Sequence, residues 1–348
     1  MNTGNLAIPF SIALIFSFAL TRIVIFICRK YSIYDLPGRH KRHKTPTPNL
    51  GGAAVFISGW STIAFMYFID PAFSGDIAIY LPYIFVGSLI IFLVGLIDDL
   101  SPLPAWSKLA AEIITGMILY FGGLSINLLT LPELGSIGLS GFGVVITILW
   151  VVGLTNAINL IDGLDGLASG VSSIAALTLA VIGLNFHVAS VTVISLILFG
   201  ALVSFWFHNR YPAKIFLGDS GSLLIGYFFA IISLIVPIKS FTLAALFIPL
   251  VALGVPLVET ASSFIRRIIA GKSIMQADRR HLFHYLRYAG LSRKLIVNLF
   301  YLLGAVFSLI SLLMLTIDRV IATGVLVLFM VVIFIIYFIL VSKIRRST

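Results

Sequence analysis

The residues most able to do chemistry are aspartates gathered in a few short, unusual stretches. "GLIDDLSPLPAWSK" (95–108) sets Asp98 beside Asp99 and closes on Lys108. "NAINLIDGLDGLASG" (156–170) places Asp162 and Asp165 three apart among glycines, and "FLGDSGS" (216–222) presents Asp219 between Gly218 and Ser220. Grouped carboxylates invite a hard cation, and magnesium typically takes one or two of them together with substrate phosphate oxygens. Basic side chains and glycine-rich turns are what anionic phosphates need. These residue types point to phosphoryl transfer. Each stretch alone also has a plainer reading: the DD pair caps a helix, DGLDG forms an Asx-type turn, and GDSG starts a helix. If the helix before Asp162 continues through Asp165, their spacing puts both carboxylates on one face.

The elements that must position these residues are membrane helices. The chain is 60% hydrophobic and only 10% charged, with a mean hydropathy of +1.12, against about a quarter charged in soluble domains. Apolar runs long enough to cross a ~30 Å hydrocarbon core recur from end to end. They fall at 5–27, 51–69, 80–97, 107–124, 141–159, 167–184, 188–206, 220–237, 241–262, 294–316 and 320–341. The expected fold is therefore an all-α, polytopic membrane protein of about eleven transmembrane helices, read as one domain over 1–348. The first span lacks a positive leader and a cleavage site, so it reads as a retained helix. The lone Cys28 implies no internal disulfide.

Cytoplasmic loops hold the excess of Lys and Arg. Arg29, Lys30, Arg39, Lys41, Arg42 and Lys44 follow the first span, which places the N-terminus outside and the C-terminus in the cytoplasm. With that topology Lys239 and Arg319 alone, of 23 basic residues, fall on the outer side. The polar stretches then all lie on the inner side, at 29–52, 95–108, 156–166, 207–222 and 266–294. The basic residues are spread over these loops without a binding module, so nucleic acid is not an expected partner.

With its topology, this set of motifs resembles the polyprenyl-phosphate N-acetylhexosamine-1-phosphate transferases. The resemblance rests on "DLPGRHKRHKTPTPNLGG", "GLIDDLSPLPAWSK", "NAINLIDGLDGLASG", "FLGDSGS" and "DRRHLFHYL", in that order over residues 35 to 286. It implies an enzyme that moves a sugar-1-phosphate from a UDP-acetamido sugar to undecaprenyl phosphate, releasing UMP. It also implies magnesium, with manganese as a substitute, a place in the cytoplasmic (inner) membrane, and initiation of a cell-envelope polysaccharide such as O-antigen or teichoic acid. A homodimer is compatible with it. Phe283 stands where the hexosamine branch has a histidine, which removes a donor from a site expected to hold substrate phosphates.

The resemblance also assigns roles. Asp219 would be the magnesium ligand, with Asp162 near the metal, and Phe216 would stack on uracil. Asp98 would lie next to the lipid phosphate, with Asp99 supporting it or the metal. Asn159, Asp162 and Asp165 would line the nucleotide, Lys108 would bind phosphate, and Arg39, His43, His281 and His284 would meet the diphosphate or the sugar. A phosphate monoester has a second pKa of about 6, so the acceptor hardly needs a strong base, and direct in-line attack is favoured over a phosphoryl-enzyme on Asp98. Two other classes compete. A transporter would set its acids near the midplane and show related halves, whereas these acids lie at one face. A lipid-binding scaffold would keep the fold without turnover.

Overall fold

The computed structural model describes residues 6–35, 46–131, 135–139, 141–240, 243–269 and 282–316, with positions 321, 324, 327 and 328 beyond. The helices are α1 (Ala7–Lys30), α2 (Gly51–Ile69), α3 (Pro71–Ile77), α4 (Leu81–Leu100), α5 (Ala105–Phe121), α6 (Phe142–Ile161) and α7 (Leu167–Asn185). They continue as α8 (Ala189–Asn209), α9 (Gly218–Ser240), α10 (Leu243–Ala252), α11 (Gly254–Ile269), α12 (Leu282–Tyr288) and α13 (Arg293–Leu313). Eight of them are long and apolar enough to cross a membrane: α1, α2, α4, α6, α7, α8, α13 and the Gly218–Val236 part of α9. The protein is thus a helical, polytopic membrane protein.

Two details depart from the sequence reading, and one expected span goes untested. The 125–141 connection contains a two-stranded antiparallel hairpin, β1 (Leu128–Leu131) with β2 (Gly135–Gly138), in the register Leu128↔Gly138 and Leu131↔Gly135. Among the described residues the fold is all-α apart from this hairpin. The span expected at 241–262 is two helices, broken at Leu253. Pro256 has no N–H to offer the Ala252 carbonyl, so the helical ladder cannot run through. The expected 320–341 span lies outside the described residues except for four positions.

Helix α9 is the axis of the bundle. Of its membrane-length window 94% is buried, against 28% for α1. Outward-facing residues such as Ile15, Phe26 and Phe68 are apolar and exposed, as lipid contact requires. Hydrophobic driving force between helices is weak in lipid, so close approach through small residues has to supply packing. Gly87 of α4 admits the Tyr227 hydroxyl, Gly200 of α8 meets the Phe10 carbonyl, and Gly170 in "GLASG" receives the Tyr301 ring. Some buried polar groups find partners across helices: Ser17 donates to the Ala201 carbonyl at 2.8 Å and Trp150 Nε1 donates to Ser233 Oγ at 2.9 Å.

The approach that matters for the site is α4 against the start of α9. A methyl group at Gly95 would sit 2.5 Å from Ser220 Cα. Gly95→Ala is expected to lower thermal stability in detergent, in the about 1–3 kcal/mol range of overpacked cores. Gly153→Ala, where nothing lies within 4 Å of the new methyl, is expected to be neutral or mildly stabilising.

Candidate active site

The first turn of α9 is held by groups from other helices. Asp99, in the last turn of α4, accepts hydrogen bonds from the Asp219 amide at 2.7 Å, the Ser220 amide at 3.1 Å and Ser220 Oγ at 2.5 Å. The opening amides of a helix lack intrahelical acceptors and carry partial positive charge, so a carboxylate there both satisfies and fixes them. Asn49 Nδ2 donates to the Asp99 carbonyl at 2.9 Å. The segment before α2 pairs with the one before α9: Phe216 N donates to the Pro48 carbonyl, and Gly51 N and Gly52 N donate to those of Phe216 and Leu217. Gly218 has φ +74°, and a side chain there would strike Asn49 and Asp99. "PNLGG" and "FLGDSGS" are therefore two halves of one joint.

Asp98 faces the other way, since neighbours on a helix do not share a face. Its Oδ1 accepts from the Leu103 amide at 2.8 Å, and its Oδ2 is 3.3 Å from Lys108 Nζ. The same ammonium reaches Asp219 Oδ2 at 2.7 Å. Lys108, in the first turn of α5, thus bridges two carboxylates 121 positions apart in sequence. One turn on, buried Glu112 accepts from Asn156 Nδ2 at 2.6 Å, tying α5 to α6.

The DGLDG segment does not continue the helix. α6 ends at Ile161, Asp162 takes φ −77° and ψ 52°, and α7 begins after Gly166 at φ +77°. Asp162 and Asp165 therefore sit on a loop, not on one helical face, because glycine at 166 supplies a left-handed turn closed to most residues. Three anchors hold that loop. Asp165 Oδ2 accepts from the Ala213 amide at 3.1 Å. Asn209 Oδ1 accepts from Gly166 N and Ser169 Oγ at 3.1 and 2.8 Å while its Nδ2 donates to the Ile215 carbonyl. The Tyr301 hydroxyl donates to the Gly166 carbonyl at 2.6 Å.

These ends enclose a cavity of about 560 Å³, lined among others by Tyr34, Asn49, Asn209, Phe216, Arg293 and six aspartates: Asp35, Asp98, Asp99, Asp162, Asp165 and Asp219. Lys108 reaches two of them from behind. Asn159 does not line the cavity, its carbonyl instead accepting from the Asp162 amide at 3.2 Å. His284 stacks on Phe283 at 4.6 Å between centroids. Arg39, His43 and His281 lie outside the described residues. Phe283 is buried on Gly163, where a methyl would collide with its ring, and it does not line the cavity. Position 283 thus packs beside the DGLDG loop, on Gly163, which itself lines the cavity. Asn49, Asn209, Arg293 and Tyr301 had no assigned role in the sequence reading, because isolated polar residues carry no spacing signal.

Among the described residues no three His, Cys, Asp or Glu side chains form a ready ligand set. Magnesium takes one or two protein carboxylates and completes its shell with water and phosphate oxygens. The oxygen-only donors around the cavity fit such an ion, and the crowding of carboxylates fits it too. Burial, followed by the charges of Asp219, Asp99 and Asp165, pushes the Asp162 carboxyl up to about 8. Its pKa in the unfolded chain is about 3.9, so the stability this group contributes is full below that value and is lost as pH rises toward 8. With divalent cations chelated, Asp162→Asn is expected to raise the thermal midpoint at pH 8, with the gain shrinking toward pH 5. An equal gain at both pH values would show that charge at Asp162 is not the cause.

Comparison with known proteins gives the family. The profile of glycosyl transferase family 4 matches residues 81–237, which contain the DD, DGLDG and FLGD stretches. A Bacillus subtilis protein named a probable undecaprenyl-phosphate N-acetylglucosaminyl 1-phosphate transferase is 34% identical over 307 residues, 88% of this chain and 84% of its own. A decaprenyl-phosphate N-acetylglucosaminephosphotransferase of Mycobacterium leprae is 32% identical, over 83% and 79% of the two chains. A phospho-N-acetylmuramoyl-pentapeptide-transferase of Streptococcus mutans is 33% identical over a shorter share, 64% and 71%. The chain belongs to glycosyl transferase family 4.

Proposed function

We propose that the protein transfers N-acetylglucosamine-1-phosphate, or that of a related acetamido sugar, from a UDP-sugar to undecaprenyl phosphate. The observation that carries this reading is Lys108 held between Asp98 and Asp219 at the edge of a carboxylate-lined cavity. The relatives that cover the largest share of this chain, 88% and 83%, are named for N-acetylglucosamine and a polyprenyl phosphate, against 64% and 80% for two phospho-N-acetylmuramoyl-pentapeptide-transferases, which favours the N-acetylglucosamine donor.

In the reaction an oxygen of the lipid phosphate attacks the sugar-bearing phosphorus of the diphosphate. The bond from that phosphorus to the bridging oxygen breaks, and UMP leaves with the electron pair. The product is a lipid pyrophosphate that keeps the original sugar–oxygen bond. Phosphoryl transfer depends chiefly on positioning and charge stabilisation. Lys108 stands where negative charge on phosphate oxygens would be met, Asp99 fixes the direction of Asp219, and Phe216 offers a ring to the base. Asp98 borders the expected position of the lipid phosphate. Magnesium, or manganese in its place, would be held by Asp219 and Asp162 and would supply Lewis-acid neutralisation of the diphosphate.

This reading places the cavity at the cytoplasmic face of the bacterial inner membrane, with eleven spans, the N-terminus outside and the C-terminus inside, in a single transferase domain that can pair as a homodimer. The distribution of basic residues supports that orientation. The product would begin a cell-envelope polysaccharide such as O-antigen or teichoic acid.

Purified protein given magnesium, undecaprenyl phosphate and a panel of UDP-acetamido sugars is expected to release UMP only when the lipid is present. Asp219→Ala should lower kcat by about 10²-fold or more, the scale of losing one electrostatic partner of a transition state. Asp99→Asn should lower kcat while leaving the magnesium requirement unchanged, because Asp99 acts through the start of α9. Phe283→His should leave the order of donor preference unchanged. Absence of UMP release with every donor, from folded protein, would overturn the reading. Inversion at a chiral sugar-bearing phosphorus would fit one displacement, and retention would fit a phosphoryl-enzyme.

A further inference from the structure

Two buried glutamates, Glu112 and Glu259, do not line the catalytic cavity. Glu112 joins α5 to α6 through Asn156. Glu259, in α11 and 2% exposed, reaches a different element. Its Oε1 accepts from the Leu282 amide at 2.8 Å, and that amide opens α12. Burying a carboxyl group is costly unless it is hydrogen-bonded, so the pairing also secures Glu259. In sequence Arg279, Arg280 and His281 come just before α12, and none has the short side chain that usually caps a helix. The first amide is met instead by a residue 23 positions away on another helix. A helix of seven residues has little stability of its own, so contacts such as this one decide where α12 lies.

Helix α12 in turn meets the DGLDG loop. Phe283 is buried, and a methyl group on Gly163 would sit 2.5 Å from its ring. The ring comes this close because position 163 has no side chain. Gly163 lines the catalytic cavity and directly follows Asp162. His284 stacks on the far end of the same unit, 4.6 Å from the Phe283 ring between centroids. The Ala213, Asn209 and Tyr301 anchors grip residues 165 and 166, the downstream half of the loop. Phe283 meets the upstream half. Helix α11 also packs on α6, whose last residue, Ile161, leads into that half. Glu259 thus stands at the base of a short path: carboxyl to Leu282 amide, Phe283 ring to Gly163, and Gly163 to Asp162 along the chain.

We infer that Glu259 is a positioning residue for the transfer, a role that rests on the proposed transferase reading. By holding the opening amide of α12 it seats Phe283 on Gly163 and keeps Asp162 at the cavity wall. Glu259 touches neither the cavity nor a substrate position, and it acts only through these contacts. The demand on them is strict, because a displacement of about 1 Å at a reacting centre can cost up to about 10²-fold in rate. The mechanical link itself does not depend on which reaction the cavity performs.

The test uses the full chain in nanodiscs, read by hydrogen–deuterium exchange and by UMP release. Glu259→Met fills the same space without an acceptor oxygen, and a thermal melt verifies that it folds. Exchange in peptides covering 160–168 and 282–288 is expected to quicken about tenfold, as loss of one hydrogen bond implies, with α7 and α8 unchanged. Its kcat should fall about tenfold, while the KM for the lipid stays as it was. Glu259→Gln keeps an oxygen that accepts from the Leu282 amide, so it should restore both protection and kcat. Phe283→Ala probes the far end of the path and should quicken exchange at 160–168 by itself. Combined with Glu259→Met, it should cost less than the sum of the two single losses, as coupled residues do. Unchanged exchange at 160–168 in both single variants would overturn the inference. So would Glu259→Gln behaving no better than Glu259→Met, or single losses that simply add. The expected exchange pattern in a protein that releases no UMP with any donor would instead remove the transferase reading and leave the link between α11 and the loop standing.

Discussion

Six carboxylates around one cavity repel one another, and much of the surrounding structure is what keeps them there. Five of them are held in different ways. Asp98 and Asp219 share the Lys108 ammonium, Asp99 is occupied by the opening amides of α9, and Asp165 by the Ala213 amide. Among the described residues Asp162 has no ion pair or hydrogen bond from its side chain, and burial pushes its carboxyl up to about 8. Burying like charges without partners is costly, so a cluster of this kind marks a place built to receive cationic charge.

Holding the cluster requires helix ends from distant parts of the chain to meet closely. Glycine makes that possible where backbone meets backbone: Gly51 and Gly52 against the Phe216–Gly221 turn, and Gly95 against Ser220. The buried axis α9 then carries Asp219 on its first turn, so every contact that fixes that turn also fixes the candidate metal ligand. Stability and chemistry are coupled through one helix end. The same coupling extends to α13, whose Tyr301 hydroxyl holds the Gly166 carbonyl and whose first residue, Arg293, lines the cavity.

The legible part of this arrangement was carried by length and by motif. Apolar runs of membrane length gave most of the helices to within a few residues, because the bilayer fixes how long a span must be. The aspartates of DD, DGLDG and FLGD were found because acids are costly in an apolar chain. Local backbone behaviour was less visible: the α6 stop at Ile161 depends on a left-handed Gly166, and the α10–α11 break depends on Pro256 within an apolar run that hydropathy reads as continuous. Asn209 and Tyr301 were illegible for another reason. Their roles exist only through partners 43 and 135 positions away, and no local pattern encodes such a meeting. Phe283 shows the reverse, a motif position whose chemistry was inferred from its neighbours although its ring packs inward on Gly163.

The charge balance also explains why so acidic a cavity can serve two anionic substrates. Lys108 and Arg293 offset two of the six carboxylates, so the lining retains formal negative charge that a free diphosphate would avoid. A divalent cation bound with the nucleotide would change the sign of that encounter, since the carboxylates would then face a metal and not a bare diphosphate. The ammonium of Lys108, fixed between Asp98 and Asp219, is the protein's own positive charge nearest those two carboxylates, so the acidic lining and its one bridging lysine set the charge that any incoming phosphate has to meet.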